Sequence, residues 1–192
     1  QSTPIQLCLM TAQIANGGYR IKPRIIFDKQ KNGLKDYLDF KLRNPNEPLG
    51  TDLLIKNFDL KPLFENQENI NIVKDAMFSA SNEPGGTSYR HRMENPKFTF
   101  AGKTGSSQIK RFTEAQREAE VKQTDLNYKD RDHALFIAFA PYKDPKYAIS
   151  VVVEHGGSGG SAAAPIAKKI IKKVIERHDL RQEINYTKGN SI

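Results

Sequence analysis

The chain has 192 residues, 38% of them hydrophobic and 27% charged, with one cysteine and a net charge of +8. That length supports one good core, or one core with a small appendage. The composition excludes an internal disulfide and a cysteine-cluster metal site, and no run approaches the ~20 apolar residues of a membrane helix.

In chain order, "STPIQLCLMTAQIANGG" (2–18) predicts a well-punctuated helix. Thr3 can cap it, Pro4 suits its first position, and Gly17-Gly18 end it. Ile5, Cys8, Leu9 and Ala12 make one apolar face and Leu7, Met10 and Ile14 another, so the helix is expected to be buried on several sides. Cys8 lies in that apolar run, where burial fits better than reactivity. "YRIKPRIIF" (19–27) is strand-like, with Pro23 placing it at an edge or a bend. Residues 28–66 read as an irregular excursion with a small hairpin, apolar only at 37–40 and 53–55 and carrying turn chemistry in "RNPNEPLG". In "ENINIVKDAMFSA" (68–80), Ile70, Val73, Met77 and Ala80 recur at helical spacing before Pro84, Gly85 and Gly86 break it.

Three strands follow. "KFTFAGKTGSSQI" (97–109) alternates bulk at Phe98 and Phe100 and then gives way to glycine, lysine and hydroxyls. A charged connection spans 111–132, where Thr113 and Gln116 resemble a capping box on a short helix. "HALFIAFAP" (133–141) is continuously apolar, as a strand covered on both faces is, and "YAISVVVEH" (147–155) is rich in β-branched residues. The five-residue turn between them makes an antiparallel hairpin. A flexible hinge, "GGSGGS" (156–161), leads to an amphipathic helix over 162–180. Ile166, Ile170, Ile171, Val174 and Ile175 form its inner face; Lys168, Lys169, Lys172, Lys173 and Arg177 form its outer one. The tail from 181 to 192 has little to bury and is expected to fray. Together these elements predict an α/β (α+β) sandwich: an antiparallel sheet flanked by helices.

The basic pI, near 9.5, raises nucleic acid or an anionic surface as partners. No aromatic residue interleaves with the helix lysines to stack on bases, so they read as a solvated face and no nucleic-acid partner is expected. "HGGSGGS" lacks the lysine and hydroxyl of a phosphate-binding loop. His91, His133, His155 and His178 show no metal-ligand spacing, so neither metal nor cofactor is expected. No basic, apolar leader opens the sequence.

Lys103, Thr104, Gly105 and Ser106 carry the chemistry. Lys103 supplies a cation for a carboxylate or for a serine that relays a proton. The hydroxyls of Thr104 and Ser106 can donate to that carboxylate. Gly105 leaves the backbone bare, so an extended ligand can lie along the strand, and the Ser106 N–H suits one half of an oxyanion hole. Two readings without catalysis compete with acyl transfer: a module that only holds an anionic peptide, and a basic nucleic-acid-binding domain.

These residues resemble the third active-site motif of the penicillin-recognising serine acyl-transferases, whose set is S-x-x-K, S-D-N and K-T-G. "TPIQLCLMTAQIANGGYRIKPRII", "NIVKDAMFSASNEPGGTSYR", "DHALFIAFAPYKDPKYAISVVVEHGG" and "AAPIAKKII" are similar to segments of class B penicillin-binding proteins, within their elongation-specific branch, the penicillin-binding protein 2 type. The resemblance implies that residues 1–180 are the carboxy-terminal part of a peptidoglycan D,D-transpeptidase domain. It implies Lys103 in the proton relay, Thr104 and Ser106 on the terminal carboxylate of a D-alanyl-D-alanine stem peptide, and β-lactams as ligands of the parent. It further implies a parent on the periplasmic side of the inner membrane, anchored upstream. The other two motifs depart from the pattern. No S-x-N occurs, and Ser107-Gln108-Ile109-Lys110 fits S-x-x-K only on a strand, where residues three apart face opposite ways. The nucleophile is therefore expected outside this chain, which alone is expected to be inactive. Strand 147–155 would keep an open edge, and self-association is expected there.

Overall fold

The computed structural model describes residues 2–21, 23, 62–64, 66–111, 113–114 and 122–189. The expected excursion at 28–66, most of the strand at 19–27 and the Thr113–Gln116 cap lie largely outside these residues. Three strands form one antiparallel sheet in the order β1 (Ala101–Ser107), β2 (His133–Ala140), β3 (Tyr147–Val153). Helices α1 (Pro4–Ala15) and α2 (Gln67–Asn82) cover one face, and α3 (Ala164–Gly189) covers the other.

The strand pleat assigns the faces. Ala134, Phe136, Ala138 and Ala140 point towards α3 and are fully buried with Ala163, Ala164, Ala167, Ile171, Ile175 and Phe100. Phe100 meets Phe136 edge to face, with ring centroids 6.0 Å apart. Phe139 points the other way, into a smaller cluster with Ala101, Met77 and Ala15, joined by Ile137, Phe78 and Tyr142. A continuously apolar strand covered on both faces is thus what the sheet contains.

Local signals set the boundaries. Thr3 and Gln6 close a reciprocal capping box at the start of α1, with Pro4 in the first position. The Asn66 side chain accepts from Glu68 N at the start of α2. At 96–98 the expected strand start is instead a 3-10 turn: Asn95 caps Lys97 N, and Pro96 fixes the turn's φ. Strand pairing therefore begins only at Ala101. Beyond α1, Tyr19 makes an isolated bridge to Pro62.

Four expectations need correction. Helix α1 is not enclosed: Ile5 is 56% exposed and only Thr11 and Ala15 are buried, because the helix rests on β3 and β2 with its far side uncovered. Cys8 is accordingly half-buried, its thiol donating to Ala148 O at 3.5 Å and pushed up in pKa by burial. The inner face of α3 is rotated from the isoleucine stripe: Ala164, Ala167, Ile171 and Ile175 are buried, while Ile166 and Ile170 are 41% and 43% exposed. Small alanines win the inner face because the helix starts close over β2. Helix α3 also continues past 180 to Gly189, since no glycine or proline interrupts it earlier.

The fourth correction concerns the glycine-rich hinge. Residues Gly159–Ala163 form a single π-helical turn packed on the sheet. A Cβ on Gly159 would stand 2.2 Å from Leu135 O and 2.6 Å from Gly105 O. A Cβ on Gly160 would stand 2.7 Å from Thr87 O, and one on Gly156 2.9 Å from the Ala134 Cβ. These glycines serve close approach between backbones, not looseness. Among the described residues no helix is long and apolar enough to cross a membrane.

Tyr142 ties the β2–β3 turn to α2. Its hydroxyl donates to Asp75 Oδ1 at 2.5 Å. That hydrogen bond, then burial, then the Asp75 charge push the phenol up to about 12. A folded-state pKa above the unfolded one stabilises fully below the unfolded value near 10 and is lost as pH rises through about 12. Tyr142→Phe is expected to lower stability by about 1 kcal/mol near neutral pH. In urea melts, the stabilities of the two proteins should then converge between about pH 10 and 12.

Candidate active site

The candidate site is the outer edge of β1, the edge strand on which all four singled-out residues lie. Register fixes their directions. Thr104 pairs with Phe136 and Ser106 with Ala134, so both hydroxyls sit on the α3 face; Lys103 and Gly105 pair with Ile137 and Leu135 and take the opposite face. A ligand lying along this edge would meet the ammonium on one side and two hydroxyls on the other. Among the described residues, no strand pairs with the outer edge of β1.

Two supports hold the strand in place. From α2 and the turn after it, Ser81 Oγ donates to Gly102 O at 3.3 Å and Asn82 Nδ2 to Phe100 O at 2.8 Å. Ser81 and Ser88, both fully buried, share a hydroxyl hydrogen bond of 3.1 Å, and Ser88 Oγ donates to Ala80 O. From the other side, the π turn presses on the backbone of Gly105. The turn is itself strapped down. Burial lowers the pKa of His91, partly offset by its hydrogen bond with the Gly160 backbone, and the charges of Arg90 and Lys168 lower it further. Lys168 Nζ donates to Arg92 O at 3.2 Å. Further along the helix, Lys172 Nζ lies 3.9 Å from Glu176 Oε1.

The chemical groups are placed as follows. Lys103 is exposed; its Nζ donates to Thr104 O at 2.9 Å, and among the described residues no carboxylate pairs with it. Thr104 Oγ1 donates to Thr87 Oγ1 at 3.0 Å. Ser106 Oγ donates to Gly157 O at a long 3.4 Å and remains exposed. Beyond Ser106 the strand is finished by Asp132, whose Oδ1 accepts from Ile109 N at 3.2 Å and whose Oδ2 accepts from Gln123 Nε2 at 3.0 Å.

Gly105 decides between a structural turn and a binding edge. A Cβ there would meet only the Leu135 Cβ, at an ordinary 3.5 Å, and its φ is not in the left-handed region. Gly102, three residues earlier, would drive a Cβ to 2.5 Å from the Phe136 ring. Packing within the chain thus requires glycine at 102 and not at 105. A strand glycine costs roughly 0.5–1 kcal/mol relative to alanine, and here no internal contact offsets that cost.

Thr87 is the residue that sequence reasoning missed. It lies in "PGGTS" (84–88), which reads only as a helix-breaking turn. The hydroxyl after the glycine pair was the one available signal, and it takes the fold to bring it 3.0 Å from Thr104. The histidines come together only in part: His133 Nδ1 accepts from His155 N at 3.0 Å, and their rings lie 5.0 Å apart with Tyr128 against His155. Among the described residues, no group of three potential metal ligands forms.

The chain matches the family model of the penicillin-binding protein transpeptidase domain over residues 1–172. Peptidoglycan D,D-transpeptidase MrdA of Salmonella typhimurium (strain SL1344) is 32% identical over 175 residues, 91% of this chain and 25% of that protein. Among solved structures, the complex between penicillin-binding protein PBP2 and MreC from Helicobacter pylori superposes with a TM-score of 0.60 at 26% identity, covering 91% of this chain and 25% of that one. Pseudomonas aeruginosa PBP2 in complex with WCK 5153 superposes with a TM-score of 0.55 at 28% identity, covering 89% of this chain and 29% of that one. The chain spans about a quarter of the length of the curated relatives it matches.

Gly159 and Gly105, which meet where the π turn packs on β1, are expected to respond oppositely to alanine. Gly159→Ala forces a Cβ against two carbonyl oxygens and should cost about 1–3 kcal/mol or more, read as a lowered thermal midpoint. Gly105→Ala should leave stability unchanged or raise it by about 0.5–1 kcal/mol.

Proposed function

The chain belongs to the penicillin-binding protein transpeptidase domain family, and from that premise we propose that residues 1–180 form the carboxy-terminal part of a peptidoglycan D,D-transpeptidase domain. The observation that carries the reading is an edge-strand glycine with no internal reason to be one. On either side of it stand two hydroxyls and a cation that pairs with no carboxylate among the described residues.

In this reading the D-alanyl-D-alanine end of a stem peptide lies along β1. Thr104 and Ser106 donate to its terminal carboxylate, and the charge of Lys103 adds to the attraction. Bare backbone at Gly105 lets the peptide approach, and the Ser106 N–H stabilises the oxyanion that forms on the attacked carbonyl. A serine outside this chain attacks the carbonyl between the two D-alanines. The bond to the terminal D-alanine breaks, that residue leaves with the proton passed to its nitrogen, and an acyl-serine remains. An amine of a neighbouring strand then attacks the acyl-serine, restores the serine hydroxyl and completes the cross-link. Lys103 assists the relay of the serine proton. A β-lactam enters the same path as an acyl donor whose leaving group stays attached.

The parent belongs, in this reading, on the periplasmic side of the inner membrane, where the cell wall is assembled. Among the described residues no strand pairs with the outer edge of β3, which supports self-association of the isolated chain. In sedimentation, a dimer fraction that grows with concentration is expected; a monomer at all concentrations contradicts this part of the reading.

The test of function is acylation by a fluorescent penicillin, read by intact mass. The full protein is expected to gain one adduct on a serine, and Lys103→Ala to slow its formation by about 100-fold or more. Residues 1–192 alone are expected to gain none. A stoichiometric serine adduct on this chain, or no adduct on the full protein, contradicts the proposal.

A further inference from the structure

The second hydroxyl at the motif strand is Thr87, contributed by the turn after α2. Its Oγ1 accepts the Thr104 proton at 3.0 Å. A threonine hydroxyl holds one proton and two acceptor sites. In this arrangement the hydroxyl of Thr104 is directed at Thr87 rather than at a ligand. A carboxylate, which only accepts, can claim that proton only if Thr104 turns away from Thr87. The Thr104 oxygen then needs a donor in return, and the hydroxyl of Thr87 is the group placed to give one.

We propose that Thr87 is a positioning residue for carboxylate recognition. It accepts from Thr104 in the arrangement of this structure and donates to Thr104 once an anionic ligand end is bound. The reversal moves two hydroxyl protons by rotation alone and breaks no covalent bond. A chain in which Thr87 donates to Thr104 and Thr104 donates to the carboxylate polarises each link and strengthens the last one.

Three observations carry the assignment. Thr87 itself is exposed, so its hydroxyl is not explained by the need to satisfy a buried group. Its neighbour Ser88 is fully buried and bonded to Ser81 and to Ala80 O, which fixes the turn while leaving the Thr87 side chain free for Thr104. On the other side, Gly160 approaches so closely that a Cβ would stand 2.7 Å from Thr87 O and 3.6 Å from Thr104 Cγ2. The two threonines are held together from both sides by elements far apart in the chain.

The inference rests on the transpeptidase reading and is tested so that the two can fail separately. In the full protein, acylation rates are measured with a fluorescent penicillin and with its methyl ester, which presents no carboxylate. Wild type should prefer the acid. Thr87→Val is expected to cut that preference about tenfold, the loss of roughly one net hydrogen bond, acting through binding and leaving the ester rate unchanged. Thr87→Ser keeps the hydroxyl and is expected to keep the preference. Thr87→Ala removes the hydroxyl without adding bulk and is read beside the valine variant, with thermal midpoints, so that one poorly folded variant does not decide the result. Unchanged acid preference in Thr87→Val and Thr87→Ala overturns the proposal, as does an equal loss for acid and ester. A serine variant as impaired as valine overturns it too. If wild type reacts with neither compound, the transpeptidase reading falls and this inference falls with it.

Discussion

The rest of the molecule depends on a contact between backbones. The turn that follows β3 lies directly on the β1–β2 ribbon, and the space between Gly159, Leu135 O and Gly105 O admits no side chain. This contact does two things at once. It starts α3 low over the sheet, so that the helix buries alanines at 164 and 167 before it buries isoleucines at 171 and 175. It also pins the edge strand from one side while Ser81 and Asn82 hold its carbonyls from the other. An edge strand with an unpaired rim is ordinarily mobile and prone to unwanted pairing. Held at both faces, β1 presents its lysine and hydroxyls along an outer rim that no strand among the described residues pairs with.

Rigidity and openness are therefore divided between neighbouring residues of one short strand. Gly102 is glycine because Phe136 fills the space its side chain would need. Gly105, three residues on, is glycine with only an ordinary contact in its way. The first belongs to the core, and for the second no contact among the described residues calls for glycine. The same division holds for the hydroxyls. Ser81 and Ser88 are buried and bonded within the scaffold, whereas Thr104 and Ser106 keep access to solvent and make single, exchangeable bonds. Hydroxyls that can reach an anion by rotation alone, on a strand held at both faces, suit the electrostatic stabilisation an acyl-transfer site requires.

Much of this was legible in the residues. Thr3-Pro4 announced α1, the period of Ile70, Val73 and Met77 announced α2, and β-branched or continuous apolar runs announced β2 and β3. These signals are local, and local chemistry determined them. What failed was tertiary. The isoleucines of α3 mark a hydrophobic stripe, but the sheet accepts its alanine-bearing side because the preceding turn sets the helix so close. The glycines at 156–160 read as a flexible hinge because composition alone cannot distinguish a glycine chosen for freedom from one chosen for close approach. Of the candidate site, the run from Lys103 to Ser106 stood out in the sequence, and the structure places it on one edge strand. Thr87 did not, because it lies 17 positions from Thr104 and is brought to it by packing that no spacing rule encodes.

The central claim is that the rim of β1 receives the anionic end of an acyl donor. A crystal structure of the full protein acylated by a penicillin tests it most directly. The account predicts the drug's carboxylate within hydrogen-bond distance of the Thr104 and Ser106 hydroxyls, with its acyl chain running past the bare backbone at Gly105. A carboxylate seated elsewhere, with that rim covered by another segment of the protein, would contradict it.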